Sequence, residues 1–167
     1  ASELESLFSV SQKMIRVIAY VFERLEEVTP LMLQKLLYYI QGVSYALCGK
    51  EMFLENCQAW VHGPVYPEVY YLFRDFKYNP IDDARFALFD GSGNLLTEEE
   101  KKIINLVINT FGLYGGKTLE KITHNEKPWK EARKGYDDTV PSNAELSKDS
   151  IKEYFKSMNE KYSIDSE

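Results

Sequence analysis

One segment with strong helix signals at both ends constrains the fold more than any other part of the chain. Thr29-Pro30 provides a capping oxygen and a proline at the first helical position, and Gly49 permits a left-handed exit. Between these signals, the apolar residues cover more than one face of the helix. Such a helix must be surrounded by other elements, so we expect it at the centre of the domain. Its most buried residues should be Leu36, Leu37, Ile40 and Val43.

Several shorter helices are predicted around this central one. The apolar spacing between residues 10 and 25 predicts a first helix, and Pro67 opens a helix after the central one. Thr97-Glu98-Glu99-Glu100 is a capping box, which opens a further helix. Two short helices and a last helix are expected at about residues 118–124, 128–133 and 147–161.

Two segments carry strand or hairpin signals. Apolar and polar residues alternate within residues 52–65, which predicts a short strand that enters a turn at Gly63-Pro64. Asp90-Gly91-Ser92-Gly93 lies between apolar residues and predicts a small hairpin. The chain is therefore predicted to be mainly α: a compact domain of about six to seven helices with a small β-hairpin element. We expect one domain over residues 1–167, with its core at about residues 10–133.

Charge and composition exclude several classes of function. The 167-residue chain has a formal net charge of −6, and its longest basic run is Lys101-Lys102. Proteins that bind nucleic acid normally carry a basic stripe that displaces counterions, so we expect no direct binding to nucleic acid. No apolar stretch reaches the length of a membrane span, and two cysteines are too few for a disulfide framework. We therefore expect a cytoplasmic protein that does not bind membranes.

The sequence also lacks the patterns typical of metal and cofactor sites. Cys48, Cys57, His62 and His124 do not form the close pairs that supply two zinc ligands from one turn. The glycine pairs lack the strand–turn–helix context of a phosphate-binding loop. We expect neither a metal nor a cofactor.

The motif around His62 permits two interpretations. His62 follows Trp60 and precedes Gly63-Pro64, so it could act as a general base or a ligand. Alternatively, its ring nitrogens could satisfy backbone groups where glycine and proline interrupt regular pairing. In that case, Gly63 adopts a backbone conformation that a Cβ would forbid, and Pro64 helps to fix the entry angle of the next helix.

A second motif, which joins Thr123-His124 to Glu126 and Pro128-Trp129, also has two interpretations. His124 and Glu126 could form a general base with its orienting carboxylate. Alternatively, Thr123 and His124 close one helix, Glu126 caps the next helix at Pro128, and Trp129 anchors the turn in the core.

Adjacent tyrosines suggest a surface for a protein partner. A helix cannot bury two neighbouring residues on one face, so one ring of Tyr38-Tyr39 and one of Tyr70-Tyr71 should point away from the main core. The alternative is a central helix that is enclosed on all sides. The residues predicted to bind a partner are Tyr39, Tyr66 and Tyr71.

Three blocks of sequence are more specific than these patterns require. They are residues 33–42 (LQKLLYYIQG), 59–68 (AWVHGPVYPE) and 119–129 (LEKITHNEKPW). In this order and at these separations, the blocks resemble the Panacea domain, the SocA-like antitoxin family, which includes phage-associated GepA-like proteins. The resemblance implies a compact helical domain with a small β element, found in phages and in toxin–antitoxin pairs.

The resemblance also implies a function. Members of this family neutralise a toxin protein, or deliver one to a protease as an adaptor. We therefore expect a protein-binding module without enzymatic activity, whose partner is a toxin or another protein. The alternative is a hydrolase-type enzyme that uses His62, His124 and Glu126. Such an enzyme should bring His62 and His124 together at one cleft.

Overall fold

The computed structural model describes residues 9–82 and 92–162. Within these ranges, the chain forms seven α-helices and one antiparallel sheet of two strands. This confirms the prediction of a mainly α fold with a small β-hairpin. The elements are α1 (Gln12–Arg24), α2 (Pro30–Cys48), β1 (Gln58–Trp60), β2 (Gly63–Val65), α3 (Pro67–Phe73), α4 (Glu98–Phe111), α5 (Gly116–His124), α6 (Lys127–Ala132) and α7 (Lys148–Tyr162).

Helix α2 lies at the centre of the fold, as its apolar pattern predicts. Thr29 caps its N-terminus by accepting a hydrogen bond from the Met32 amide at 3.2 Å, and Gly49 ends it with φ at 70°. Every residue from Met32 to Tyr45 is buried. The predicted core cluster is confirmed, because no member is more than 4% exposed: Leu36, Leu37, Ile40 and Val43.

Buried glutamines of α2 fix the segments that connect other elements. Gln34 Oε1 accepts a hydrogen bond from the Tyr66 amide at 2.7 Å. Gln41 Oε1 accepts from the Met52 amide at 2.6 Å, and its Nε2 donates to the Phe53 carbonyl at 2.8 Å. Buried polar groups need such partners, and here the partners are backbone groups that no helix or strand satisfies. The central helix therefore positions the loops as well as the core.

Two further helices begin at side-chain caps. Helix α4 has the predicted capping box: the Glu100 amide donates to Thr97 Oγ1 at 3.1 Å, and the Thr97 amide donates to Glu100 Oε1 at 2.8 Å. Helix α1 begins after Ser11, whose Oγ accepts from the Met14 amide at 3.1 Å. Glu55 accepts from the Ser11 amide at 2.6 Å, which ties the start of α1 to the loop that follows α2.

Strands β1 and β2 form an antiparallel hairpin, whereas the alternation within residues 52–65 predicts only one short strand that enters a turn at Gly63-Pro64. Ala59 pairs with Pro64, and Trp60 pairs with Gly63. Gly63 and Pro64 therefore belong to the second strand, and the turn itself lies at residues 61–62. The Ala59 amide donates to the Ala144 carbonyl at 2.8 Å, so the other edge of β1 also has a partner.

The remaining local predictions had different outcomes. The two short helices expected near residues 118–124 and 128–133 are confirmed as α5 and α6. The hairpin expected around residues 90–93 is wrong in the part that the structure describes, because Ser92–Leu95 forms a 3₁₀ helix. The rest of that hairpin falls within residues 83–91, outside the described residues. Among the described helices, none combines the length and the apolar character required to cross a membrane.

Candidate functional site

Side chains from α2, from α6 and from the residue that follows α6 hold the hairpin by its backbone carbonyls. Lys35 Nζ donates to the Pro64 carbonyl at 2.9 Å, and Trp129 Nε1 donates to the Trp60 carbonyl at 2.9 Å. Arg133 Nη1 donates to the Ala59 carbonyl at 3.0 Å. We refer to these three donors, together with His124, whose ring stacks on Trp129, as the hairpin clamp: Lys35, His124, Trp129 and Arg133.

Trp129 forms the centre of the clamp. It is buried at 4% exposure, and Pro128 beside it in the first turn of α6 is buried as well. The His124 ring stacks on the indole with centroids 4.2 Å apart, and the Arg133 guanidinium lies 5.3 Å from the indole centroid. Burial lowers the pKa of His124, although Glu120 and the Val61 carbonyl favour its protonated form. Trp129 therefore anchors the turn, as its architectural interpretation predicts.

Gly63 allows the hairpin to approach α2 and α5 closely. Its φ of 110° lies in the region that favours glycine, and a Cβ there would lie 2.8 Å from Lys35 Cε and 3.0 Å from Thr123 Oγ1. Thr123 Oγ1 donates to the Glu120 carbonyl at 2.9 Å. Lys35 is fully buried, and this burial lowers the pKa of its ammonium to about 8. The close approach therefore encloses a lysine that sequence analysis did not single out.

His62 lies at the tip of the hairpin and pairs with a helix rather than with backbone groups. Its Nδ1 is 2.9 Å from Glu120 Oε2, and its side chain is 65% exposed. Lys117 Nζ lies 3.6 Å from the other carboxylate oxygen of Glu120. Burial alone would raise the pKa of Glu120, but the hydrogen bond and charge of His62, together with Lys117, hold it below its usual value. His62 thus joins the hairpin to α5 at the surface.

In the part of the chain that the structure describes, no hydrogen bond joins Glu126 to His62 or His124, the other two residues of the hydrolase alternative. His62 contacts Glu120 directly, and the charge of Glu120 also acts on His124. Glu126, in contrast, accepts its hydrogen bonds from two tyrosines of α2. A general base with its orienting carboxylate requires a hydrogen bond between them, and the described residues show none between His124 and Glu126, since the His124 ring stacks on Trp129 instead.

Glu126 links α6 to α2 by its side chain. Tyr38 Oη donates to Oε1 and Tyr39 Oη donates to Oε2, both at 2.9 Å, and Tyr154 of α7 provides a further hydroxyl. Burial raises the pKa of this carboxyl to about 7, although the tyrosine hydrogen bonds favour its ionised form. Glu126 occupies the residue before α6, but its side chain makes no capping bond. The expectation that Glu126 caps α6 by its side chain is therefore wrong, because the tyrosines engage it.

A cavity of about 360 Å³ lies beside Glu126, between α2, α4 and α7. Aromatic rings supply much of its wall. The rings of Tyr39 and Phe111 stack with centroids 3.9 Å apart, and Phe155 is buried. We refer to this space as the aromatic cavity, defined by Tyr39, Phe111, Glu126, Tyr154, Phe155 and Met158.

The expected exposure is wrong for two of the three tyrosines predicted to bind a partner. Tyr39 and Tyr66 are both only 1% exposed. Helix α2 is enclosed on all sides, so Tyr39 packs against Phe111 while Tyr38 packs edge-on against Phe155. Tyr66 packs edge-on against Phe53 at 5.1 Å. Neither ring can contact a partner without rearrangement of the core.

Tyr71 is accessible and belongs to a row of rings. Its side chain lies on α3 and is 49% exposed. Tyr70 lies 5.4 Å from Tyr71 and 4.9 Å from Trp60, centroid to centroid. The Arg74 guanidinium lies 5.4 Å from the Tyr71 ring. We refer to Trp60, Tyr70 and Tyr71 as the aromatic face.

Sequence analysis missed Lys35, Arg133 and Glu120, although Lys35 carried a signal. Lys35 interrupts an apolar run in the central helix, and a charge at such a position needs a buried partner. Arg133 is 3% exposed, and its Nη2 also donates to the Val140 carbonyl at 2.5 Å. The position of the loop that contains Val140 could not be predicted from the sequence.

In the described ranges, no group of three or more His, Cys, Asp or Glu side chains could hold a metal ion.

Comparison with known families identifies the domain. The family model described as "Antitoxin SocA-like, Panacea domain" matches residues 33–130. This match includes α2 from Leu33 onward, the hairpin, both sequence motifs and Trp129. No curated protein and no solved structure matches the chain. Because the matched residues make up more than half of the sequence, the chain belongs to the SocA-like antitoxin family, as a Panacea domain protein.

Proposed function

We propose that this protein is an antitoxin-like module that binds a cognate toxin, and either sequesters the toxin or presents it for proteolysis. Membership in the SocA-like antitoxin family is the observation that carries this proposal. We further propose that it acts in the cytoplasm as a single domain, from a phage or toxin–antitoxin locus, and that it is related to GepA-like proteins. Its partner is then a protein, without direct contact to nucleic acid or membrane.

The use of the two motifs within the fold supports a binding role over a catalytic one. Trp129 holds a carbonyl of the hairpin, His124 stacks on its ring, and Glu126 receives hydroxyl groups of buried tyrosines. An enzyme would need at least one of these groups aimed at a substrate. The hydrolase alternative predicts turnover that is lost in His62→Ala, which an assay of the purified protein against ester and phosphoester substrates would detect.

The aromatic face is the best-supported surface for the partner. Exposed tyrosine and tryptophan rings supply large, rigid contact areas, and such residues dominate the energetics of protein interfaces. Tyr71 packs edge-on with Tyr70, the Arg74 guanidinium lies 5.4 Å from its centroid, and the residue is 49% exposed. The ring is therefore held in place before a partner arrives, which reduces the entropy lost on binding.

Co-expression tests this proposal directly. The toxin encoded beside the gene should arrest growth alone, and growth should recover with the wild-type protein through a complex that survives purification. Tyr71→Ala should weaken this complex by at least about 1–2 kcal/mol. Tyr114→Ala is a matched control, because Tyr114 is 44% exposed and follows α4 rather than lying on α3. Arrest that persists with the wild-type protein present would contradict the proposal, and equal losses in both variants would contradict the surface.

A further inference from the structure

The aromatic cavity contains a carboxylate whose hydrogen-bond donors are neutral. Glu126 is 9% exposed and receives hydroxyl groups from Tyr38, Tyr39 and Tyr154. Buried carboxylates in proteins are usually paired with a positive group. Among the described residues, no lysine, arginine or histidine forms an ion pair with Glu126. The structure therefore places an acid without a counter-charge at the side of an apolar space.

The rings around this space, like the carboxylate, favour a positively charged ligand. The face of an aromatic ring is negative, and a cation within about 6 Å of several such faces is stabilised further when water is excluded. Tyr39, Phe111, Tyr154 and Phe155 all line the cavity with Glu126. The whole chain is also acidic, with a net charge of −6, so its field favours the approach of cations.

The size and accessibility of the cavity suit a small molecule. Its volume of about 360 Å³ lies within the usual range of ligand pockets, which begins at about 300 Å³. Phe111, Tyr154 and Met158 are only partly buried, and Thr110 at the edge is exposed. A ligand can therefore reach the carboxylate past these side chains, while Tyr39 and Phe155 form a buried wall.

We propose that the aromatic cavity binds a small organic cation, whose ammonium group lies beside the Glu126 carboxylate and against the surrounding rings. A compact apolar body, such as methyl groups on the nitrogen, fills the rest of the space. This binding is separate from toxin recognition at the aromatic face, and it does not require the proposed function.

The charged groups near Glu126 define how pH should act on such a ligand. Tyr38 and Tyr39 of α2 face the carboxylate together with Tyr154 of α7, and burial raises the pKa of Tyr38 and Tyr39 well above its usual value. Lys127, the next residue, lies 3.5 Å from Glu131, with which it forms an ion pair. Ionisation of Glu126, with its pKa at about 7, increases about tenfold between pH 6 and pH 8. A cation should therefore bind up to about tenfold more tightly at pH 8 than at pH 6.

Choline and its neutral analogue, in which carbon replaces the quaternary nitrogen, provide a matched pair of probes. We would titrate each into the full-length protein at constant ionic strength and follow the methyl NMR signals of Val43, Val107 and Met158, which line the cavity. Choline should shift these signals and bind at least about tenfold more tightly than the neutral analogue. Equal binding of the two probes, or no methyl shift at about 50 mM choline, would overturn the proposal.

Two variants locate the site independently of the probes. Thr110→Trp fills the cavity from its exposed edge and should weaken choline binding by at least about tenfold. Thr118→Trp makes the same change at an exposed position on α5 and should leave binding unchanged. Glu126→Gln keeps the shape but removes the charge, so its affinity for choline should lose its dependence on pH. Full choline binding in Thr110→Trp would overturn the assignment to this cavity, even if Glu126→Gln failed to fold.

Discussion

The hairpin clamp and the aromatic cavity both place ionisable side chains next to α2, but they use them differently. In the clamp, Lys35 and Arg133 donate to hairpin carbonyls at 2.9 Å and 3.0 Å, where they take the place of backbone partners. In the cavity, Glu126 borders open space of about 360 Å³. The clamp is therefore a structural arrangement, whereas the cavity retains a group that could still interact with a ligand.

This difference shows that a specific sequence motif need not mark chemistry. The residues around His62 and His124 have the types used in catalysis, yet Trp129 donates to a carbonyl of a hairpin with two short strands, and His124 stacks on the Trp129 ring. A hairpin of this size is only marginally stable alone and needs other elements to hold it. The residue types of the motif are then explained by the contacts that hold the hairpin.

Removal of the central ring of the clamp should have the largest effect. Trp129→Ala should lower the free energy of unfolding by about 3–5 kcal/mol, because it creates a cavity and leaves the Trp60 carbonyl without its donor. Trp129→Phe retains most of the ring packing and should lose less. Urea unfolding of both variants measures the difference. A loss below about 1 kcal/mol in Trp129→Ala would show that the clamp does not hold the fold.

The two regions should also respond to pH with opposite signs. The pKa of Glu126 is raised to about 7, so the native state retains a proton that the unfolded state has lost above about pH 4.5. The stability from this group is complete below pH 4.5 and is lost as the pH rises through 7. Relative to Glu126→Gln, the wild type should therefore lose about 3 kcal/mol over this interval.

Glu120, on the clamp side, provides the opposite case. Its pKa is lowered, so its contribution is present above the unfolded-state pKa and is lost as the pH falls. Relative to Glu120→Gln, the wild type should become less stable in acid. Unfolding curves of both variants and the wild type between pH 3 and pH 8 test the two signs together. Profiles that run parallel for the two variants would refute the contrast between the regions.

A smaller effect is expected from the histidine within the clamp. His124→Ala uncovers one side of Trp129, so we expect a loss of about 1–3 kcal/mol. His124→Gln retains a polar side chain without the ring. A loss equal to that of alanine would assign the effect to stacking, whereas a partial recovery of the melting temperature would show that the polar group contributes as well.

Much of the fold follows from local signals in the sequence. The Thr29-Pro30 and Gly49 boundaries, the capping box at Thr97 and the core of α2 required only helix chemistry and apolar spacing. The segment at Ser92 did not follow its turn signal, because glycine and aspartate favour several turn types and tertiary packing decides between them.

The sites were less predictable because they depend on contacts between distant segments. Tyr39 was expected to be exposed from its position beside Tyr38, but the sequence cannot show that Phe111, far along the chain, covers the ring. Glu126 has a helix-capping position, yet its partners come from α2. Packing decides whether Glu126 caps its own helix or bonds to a remote tyrosine. No residue spacing in the sequence predicts that outcome.

The smallest effect is expected at His62, where the clamp meets solvent. His62 is 65% exposed in its side chain and pairs with Glu120 over 2.9 Å, so water and salt screen the pair. His62→Ala should therefore cost no more than about 1 kcal/mol, well below His124→Ala, although both residues belong to sequence motifs. The loss of stability in His62→Ala should be smaller still in about 1 M salt, where charges this close to solvent interact weakly. Melting temperatures of the variant and the wild type at low and high salt measure both quantities. A loss as large as that of His124→Ala, unchanged by salt, would mean that His62 holds the hairpin as the buried donors do, and the boundary of the clamp would then extend to its exposed tip.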